Sequence, residues 1–210
     1  KDYELDCKIN PTRPLPRGLL SVKDTKIAFS VCIILELILF SYLGKWALVA
    51  MAVAIGYSLL MYNEFFIGKY IRPHLTTYAT THTVVTFFLS LSIFSAFTEF
   101  PFTQLQGWMY QFSLMSWLLF NIFELGRKMY QPEEERDQVE SYTKVWSKPG
   151  AILLVLGHAG LVFYFAQAIP ALSSGIFPKV IFIPLALLMI ISGVFAVKDD
   201  LWAGKIYRNY

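Results

Sequence analysis

Six long apolar stretches constrain this chain more than any other feature of its sequence. Each is long enough, or nearly so, to cross the roughly 30 Å hydrocarbon core of a bilayer as a helix rising about 1.5 Å per residue. They cover residues 27–43, 46–66, 79–97, 105–123, 151–169 and 177–197. Because lipid offers no hydrogen-bonding partner to the backbone, such stretches must be helical. The sequence therefore predicts an all-α fold, in which residues 1–210 form a single multi-pass transmembrane helical bundle with about six spans.

The composition supports a membrane protein and argues against other classes. Hydrophobic residues make up 56% of the chain and charged residues 16%, whereas a soluble domain carries about a quarter charged residues. The formal net charge of +3 is too small to indicate a nucleic-acid partner. Cys7 lies in a charged segment and Cys32 in an apolar one, so we expect free thiols and no disulfide.

Basic residues divide unevenly among the segments between the predicted spans. The segments before the first span and after the second, fourth and sixth together hold sixteen Lys and Arg, and the remaining three hold two. The positive-inside rule then predicts that both visible ends face the cytoplasm. The two long cytoplasmic segments are residues 1–26 and 124–149. We also expect residues before Lys1, because the chain starts inside a polar segment with neither Met nor a signal-peptide pattern.

The first cytoplasmic segment carries two aspartates spaced for one face of a helix. Asp2 and Asp6 lie four residues apart, and like charges at that spacing cost stability unless a cation lies between them. Mg²⁺ is the obvious candidate because it takes hard oxygen ligands and bridges to phosphates. A solvated helix end is the alternative interpretation of so short a motif.

The residues that follow this pair narrow the interpretation. Residues 10–21 read N-P-T-R-P-L-P-R-G-L-L-S, and together with the DxxxD pair they resemble the first acidic motif of the UbiA superfamily of intramembrane prenyltransferases. In that family the acidic pair holds Mg²⁺ on the diphosphate of an isoprenoid donor. The resemblance implies that Asp2 and Asp6 are catalytic metal ligands and that Arg13 binds substrate. The asparagine of the family motif, and two of the family's usual eight or nine spans, would then precede Lys1.

The resemblance continues less closely after the fourth predicted span. The family's second motif commonly reads DxxxD there, whereas this chain has Glu124 with Lys128 four residues later. The resemblance makes Glu124 the expected catalytic carboxylate and Mg²⁺ ligand, with Asn121 one turn before it. An ordinary intrahelical ion pair of Glu124 with Arg127 or Lys128 is the alternative. Glu133 repeats the four-residue spacing with Asp137 but fits a solvated charge run.

A shorter loop on the same predicted side adds basic residues. Lys69 and Arg72 could hold diphosphate oxygens, although the positive-inside rule also accounts for them. Tyr62 and Lys69 are a loose match to a Y-x-x-x-K element of the family. The expected substrate-binding residues are Arg13, Asn121, Tyr62, Lys69, Arg72, Arg127 and Lys128.

Three ionisable residues fall inside predicted spans. Glu36, His82 and His158 would be costly there, and such residues indicate a function or a buried partner. His158 could equally hydrogen-bond between helices. Glu36 has no assigned role.

The resemblance implies an Mg²⁺-dependent enzyme that ionises an isoprenyl diphosphate and transfers the prenyl group to a lipophilic or aromatic acceptor. The expected partners are that diphosphate, a hydrophobic acceptor and membrane lipid, with no nucleic acid. Two alternatives stay open. One is a terpene cyclase, in which the donor's own double bonds capture the cation. The other is a non-catalytic subunit of a larger membrane complex that retains the fold.

Overall fold

Ten α-helices make up most of residues 3–137 and 139–209, the part of the chain that the computed structural model describes. They are α1 Tyr3–Ile9, α2 Val22–Tyr42, α3 Lys45–Tyr62, α4 Gly68–Ile71, α5 Leu75–Thr83, α6 Val85–Thr98, α7 Gly107–Gly126, α8 Tyr142–Ala168, α9 Phe177–Val197 and α10 Leu201–Asn209. Short 3₁₀ turns cover Glu64–Phe66, Phe102–Gln104 and Pro132–Glu134. These residues contain no β-strand, which confirms the predicted all-α fold.

Five segments of the described chain are long and apolar enough to cross a membrane: α2, α3, the α5–α6 pair, α8 and α9. This agrees with the predicted multi-pass architecture. The bounds of α9 coincide with those of the sixth predicted span. The fourth predicted span, 105–123, forms the 20-residue helix α7, which is not one of the five.

The polar residues of α7 make it less apolar than the five candidate spans, and some of them are buried against neighbouring helices. It packs against α6 on one side, α8 on another, and α5. Its buried residues include the polar Ser113 and Asn121. A helix that contacts other helices can carry polar side chains that would be costly against lipid. The predicted six spans are therefore five by length and composition, with α7 as a further long helix of the bundle.

The long helices pack in chain order. Contacts run from α2 to α3, from α3 to α6, and then through α7, α8, α9 and α10. Helices α3 and α6 contact each other, and both bury small side chains: Ala50 and Ala54 on α3, and Ser92 and Ser95 on α6. Small residues allow membrane helices to approach closely. At the edge of the series, α2 buries none of its residues.

The third predicted span, 79–97, corresponds to two helices that meet at Val84. The hydroxyls of Thr80, Thr83 and Thr86 each donate to a backbone carbonyl three or four residues earlier. Such bonds satisfy the hydroxyl locally and often bend a helix. Before the junction, α5 contacts both α7 and α8.

A buried cluster holds the end of α7 in place. Leu125 and Met129 pack in one core with Tyr142, Val155 and Phe195 of α8 and α9. Each of these five side chains is almost completely buried. The turn that carries Glu124 is therefore held next to this buried cluster.

Candidate functional site

A cavity of about 620 Å³ lies among α2, α3, α5, α6 and α7. Part of its wall is apolar and includes Phe29, Met61, Val85 and Phe120. The polar residues on the wall are Ser58, Tyr62, Tyr78, His82, Thr83, Glu124, Arg127 and Lys128. The cavity thus combines aromatic and aliphatic surface with a charged region.

The last turn of α7 supplies the charged region. Glu124 lies three and four residues before Arg127 and Lys128, so the three side chains share one side of the helix. Arg127 donates from Nε to Glu124 Oε2 at 2.6 Å and from Nη2 to Oε1 at 3.0 Å. Lys128 Nζ lies 2.9 Å from Oε1. One carboxylate is shared by two bases, which leaves a formal charge of plus one.

The electrostatics of this turn keep Glu124 ionised. Burial alone would raise the pKa of Glu124, which lies just beyond the predicted span 105–123. Hydrogen bonds from Arg127 and Lys128, together with the positive charges of both side chains, outweigh burial and hold the pKa of Glu124 below its ordinary value. The C-terminal end of α7 also favours cations through the helix dipole.

Buried hydrogen bonds connect α7 to α5 next to this turn. Trp117 Nε1 donates to Thr83 Oγ1 at 3.0 Å, and Thr83 Oγ1 lies at a hydrogen-bonding distance of 2.5 Å from the amide oxygen of Asn121, Oδ1. Asn121 is only 1% exposed and does not line the cavity, although Thr83 does. In this structure Asn121 joins two helices. Its predicted contact with substrate stays a prediction.

Arg72, one of the predicted substrate-binding residues, forms an ion pair with the carboxylate of Glu64. Arg72 Nε donates to Glu64 Oε2 at 2.7 Å, and the Tyr78 hydroxyl donates to Glu64 Oε1 at 3.3 Å. Glu64 is 7% exposed, so this ion pair is partly shielded from solvent. Lys69 is exposed and, like Arg72, is not part of the cavity wall.

The first acidic motif does not contribute described residues to the cavity. Asp6 accepts hydrogen bonds from Asn10 Nδ2 at 3.0 Å and from Arg13 Nη1 at 2.8 Å to both oxygens. The bond from Asn10, followed by that from Arg13, lowers the pKa of Asp6. Asp2 lies outside the described residues. Asp6 and Arg13 therefore form an ion pair with each other. Neither residue lines the cavity that contains Glu124.

The described residues do not assemble a metal centre. Across residues 3–137 and 139–209, no group of three or more His, Cys, Asp or Glu is placed to hold a metal ion. Asp6 and Glu124, the described members of the expected Mg²⁺ set, are both paired with bases. At Glu124 the two bases outnumber the carboxylate, so the net positive charge of this group favours an anion over a metal cation. The Mg²⁺ site stays a prediction that depends on Asp2.

The cavity brings together four of the predicted site residues, Tyr62, Glu124, Arg127 and Lys128. Sequence reasoning missed Tyr78 and Thr83. A signal for them was available, because residues 76–83 are rich in hydroxyls within an otherwise apolar stretch. Polar residues in a span face other helices or a cavity more often than lipid.

No family model, no curated protein and no solved structure matches this chain. The likeness to the UbiA superfamily therefore rests on the motif residues themselves.

Proposed function

We propose that this chain is a UbiA-like intramembrane prenyltransferase. It binds an isoprenyl diphosphate with the diphosphate at the charged end of the cavity and transfers the prenyl group to a hydrophobic acceptor. In this proposal the charged end and both visible chain ends face the cytoplasm.

The observation that carries the proposal is the composition of the cavity wall. Arg127 and Lys128 present guanidinium and ammonium donors beside one carboxylate, and such donors bind diphosphate oxygens. Phe29 and Phe120 lie on the apolar part of the same wall. An amphiphile with an anionic head and an unsaturated tail matches both parts.

Mg²⁺ is part of the proposal because the sequence resembles a family whose acidic motifs hold this ion. When bound to a diphosphate, Mg²⁺ would stabilise the negative charge of the leaving group. Asp6 and Glu124, the described members of the expected Mg²⁺ set, do not fit such an ion by themselves, because each is already paired with a base. The reaction is therefore derived from the cavity residues alone.

Transfer begins when the bond between the first prenyl carbon and the bridging oxygen breaks. The electron pair stays on the diphosphate, and the positive charges of Arg127 and Lys128 stabilise the growing negative charge. The aromatic faces of Phe29 and Phe120 stabilise the allylic cation. The acceptor then forms a bond to the cation and releases a proton to solvent.

The test is turnover by the purified full-length protein in lipid nanodiscs with Mg²⁺, prenyl diphosphates of several lengths and candidate acceptors. Products are identified by mass spectrometry. We expect Arg127→Gln and Lys128→Gln each to lower diphosphate release by about a hundredfold, the usual loss for one charge-stabilising donor. Lys179→Gln is the matched control, because Lys179 is an exposed base outside this cavity. Thermal unfolding of each variant checks that the fold is kept.

Each outcome separates the proposal from its alternatives. Diphosphate release with a prenylated acceptor supports transfer, whereas release with a cyclic hydrocarbon supports terpene cyclisation. No release from the wild-type protein with any donor supports the non-catalytic subunit. Full activity in the Arg127→Gln/Lys128→Gln double variant would place the reaction elsewhere in the chain.

A further inference from the structure

A separate cavity of about 330 Å³ lies at the start of α3, at the other end of that helix from the candidate site. Its volume is within the range of about 300–1,000 Å³ that is typical of small-molecule sites. We call it the turn cavity, and its wall consists of Tyr42, Leu43, Gly44, Lys45, Trp46, Ala47 and Glu99. The proposed prenyl transfer uses none of these residues.

The turn cavity carries one base and one acid that do not pair with each other. Lys45 and Glu99 both line it, and both are exposed. Within the described part of the chain, neither side chain has an ion-pair partner. Lys45 Nζ instead lies 4.9 Å from the ring centroid of Trp46. The two opposite charges on one wall therefore suit a ligand that carries both signs.

The backbone at Glu99 is unusual for a charged residue. Glu99 ends α6 in the left-handed conformation, with φ 58° and ψ 18°. Glycine is the usual residue in this conformation at the end of a helix, because a side chain is disfavoured there. A residue held in a disfavoured conformation indicates a functional position. Here that residue places a carboxylate on the wall of the turn cavity.

The turn cavity lies at a membrane surface. Helices α2 and α3 are both long and apolar enough to cross a membrane, and the turn between them forms part of the wall. Tyr42 and Trp46 lie at helix ends, where aromatic rings mark the boundary between lipid and water. Leu43 on the wall is 50% exposed, and Phe97, two residues before Glu99, is 84% exposed. Exposed apolar side chains next to both charges favour an amphiphile from the bilayer over a soluble ligand.

We propose that the turn cavity binds the headgroup of a phospholipid of the phosphatidylethanolamine class. The ammonium of Lys45 donates to the lipid phosphate, and the carboxylate of Glu99 accepts from the primary ammonium of ethanolamine. A choline headgroup has no N–H to donate to Glu99. A phosphatidylglycerol headgroup brings a negative charge and no cation for Glu99. The proposal does not depend on the prenyltransferase reaction.

The test measures which lipid occupies the cavity in a bilayer. The full-length protein, with a photoreactive benzoylphenylalanine in place of Tyr42, is reconstituted into vesicles of equal parts phosphatidylethanolamine, phosphatidylcholine and phosphatidylglycerol. Tyr42 lines the cavity and is 85% exposed. After illumination, mass spectrometry identifies the headgroup of each cross-linked lipid. The same substitution at Tyr164, an exposed residue of α8 outside the turn cavity, reports the lipid surroundings in general.

We expect ethanolamine lipid to be enriched about fivefold at position 42 relative to position 164, the upper end of the effect of an exposed charged pair. Glu99→Gln should abolish this enrichment and favour phosphatidylglycerol, because only the base of Lys45 then remains. Lys45→Gln should also reduce the enrichment, because the phosphate is no longer held. Soluble phosphoethanolamine, in molar excess over the lipid, should leave it unchanged.

Two variants serve as matched controls and should keep the enrichment. Lys198→Gln removes an exposed base that lies 5.7 Å from the ring of Trp202, so it repeats the contact of Lys45 with an indole away from the turn cavity. Glu133→Gln removes an exposed carboxylate outside the cavity. Thermal unfolding of each variant checks that the fold is kept.

Four outcomes would overturn the proposal. Equal headgroup ratios at positions 42 and 164 would show that the cavity does not select a headgroup. Enrichment of choline or glycerol lipid in the wild-type chain would show recognition by the aromatic rings or by Lys45 alone. Enrichment of ethanolamine lipid that persists in Glu99→Gln would mean that the carboxylate does not hold the ammonium. Loss of the lipid adduct on addition of phosphoethanolamine would identify a soluble ligand.

Discussion

At the end of α7, the carboxylate of Glu124 holds the side chains of Arg127 and Lys128 close together. Glu124 accepts from Arg127 and contacts Lys128, so its charge opposes any second anion brought to those bases. We expect Glu124→Gln to tighten the binding of a prenyl diphosphate by a few fold in the presence of a metal chelator, because a like charge is removed close to the ligand. The measurement is the dissociation constant of a fluorescent donor analogue in nanodiscs.

The matched control for Glu124 is Glu133→Gln. Glu133 is an exposed carboxylate in the segment that follows α7, so this variant makes the same change of charge away from the cavity wall and should bind the analogue like the wild type. Weaker binding by Glu124→Gln, together with a higher Mg²⁺ concentration for half-maximal binding, would assign Glu124 the metal role implied by the resemblance.

The ion pairs of Glu124 with Arg127 and Lys128, the alternative to a metal role in the sequence analysis, follow from spacing, because residues three and four apart on a helix are neighbours. The contact of Asp6 with Arg13, seven residues later, did not follow from spacing. A turn after α1 brings the following residues back toward Asp6, and the side chain of Asn10 also donates to Asp6 there. Whether a long side chain reaches a carboxylate depends on this turn, which no periodic pattern records.

Among the elements, α10 is tied to the segment after α7 by polar contacts. Arg208 donates from Nη1 to Glu134 Oε2 at 2.6 Å and from Nη2 to Oε1, and its guanidinium lies 5.0 Å from the ring of Tyr130. Gln131, fully buried, donates to the Lys198 carbonyl at 2.8 Å. The hydrogen bond from Arg208 holds the pKa of Glu134 below its ordinary value.

This contact gives stability a defined pH dependence. Because the pKa of Glu134 is lowered by folding, the contribution is complete above the unfolded value of about 4.3 and is lost as the pH falls through the folded value. We expect Arg208→Gln to lower the free energy of unfolding by about 1 kcal/mol at pH 7. The difference from wild type should shrink as the pH falls below about 4. Thermal unfolding in detergent, followed by circular dichroism at several pH values, measures both effects.

Arg136→Gln is the control for this contact. Arg136 is an exposed base in the same segment, and its removal should leave the melting temperature unchanged at every pH. A destabilisation in Arg208→Gln that is the same at neutral and acidic pH would mean that packing against Tyr130, and not the charge of Glu134, accounts for the effect.

Among the predicted spans, hydropathy gave the bounds of α9 most accurately. The sequence bounds of α9 match the structure, and α9 has few buried residues. The prediction was weaker for α5 and α7, which contact each other through Thr83, Trp117 and Asn121. A helix that buries polar groups against its neighbours loses the apolar signal that identifies a span. Its partners are set by the packing of distant segments, which a local window does not contain.

At the scale of the whole molecule, the sequence suggested one site formed by both acidic motifs. The structure forms a cavity from the end of α7 and the walls of α2, α3, α5 and α6, without Asp6 or Arg13. The motif identified residue types suited to a diphosphate. It did not specify how the segment before α2 sits against the bundle, because that depends on contacts between segments far apart in sequence.

The membrane topology of the whole chain depends on α7. Five helical segments are apolar enough to span, and α7 decides whether the crossings number five or six. No base lies between the third and fourth predicted spans, while five follow the fourth before the next span. Bases are retained on the cytoplasmic side, so we expect α7 to cross and the segments at its two ends to lie on opposite sides. Gln104 before α7 and Glu140 after it are both exposed and suit labelling.

The measurement uses single cysteines, Gln104→Cys or Glu140→Cys, in a Cys7→Ser/Cys32→Ser background. A membrane-impermeant maleimide is added to intact cells and then to opened membranes. Gln104→Cys should react in intact cells, and Glu140→Cys only after the membranes are opened. Labelling of both positions from the same side would mean that α7 does not cross. The number of crossings would then be odd, and the two chain ends would face opposite compartments. The bases after α7 would then share a compartment with the loop before it, which has no base, and the asymmetry of positive charge would need another explanation.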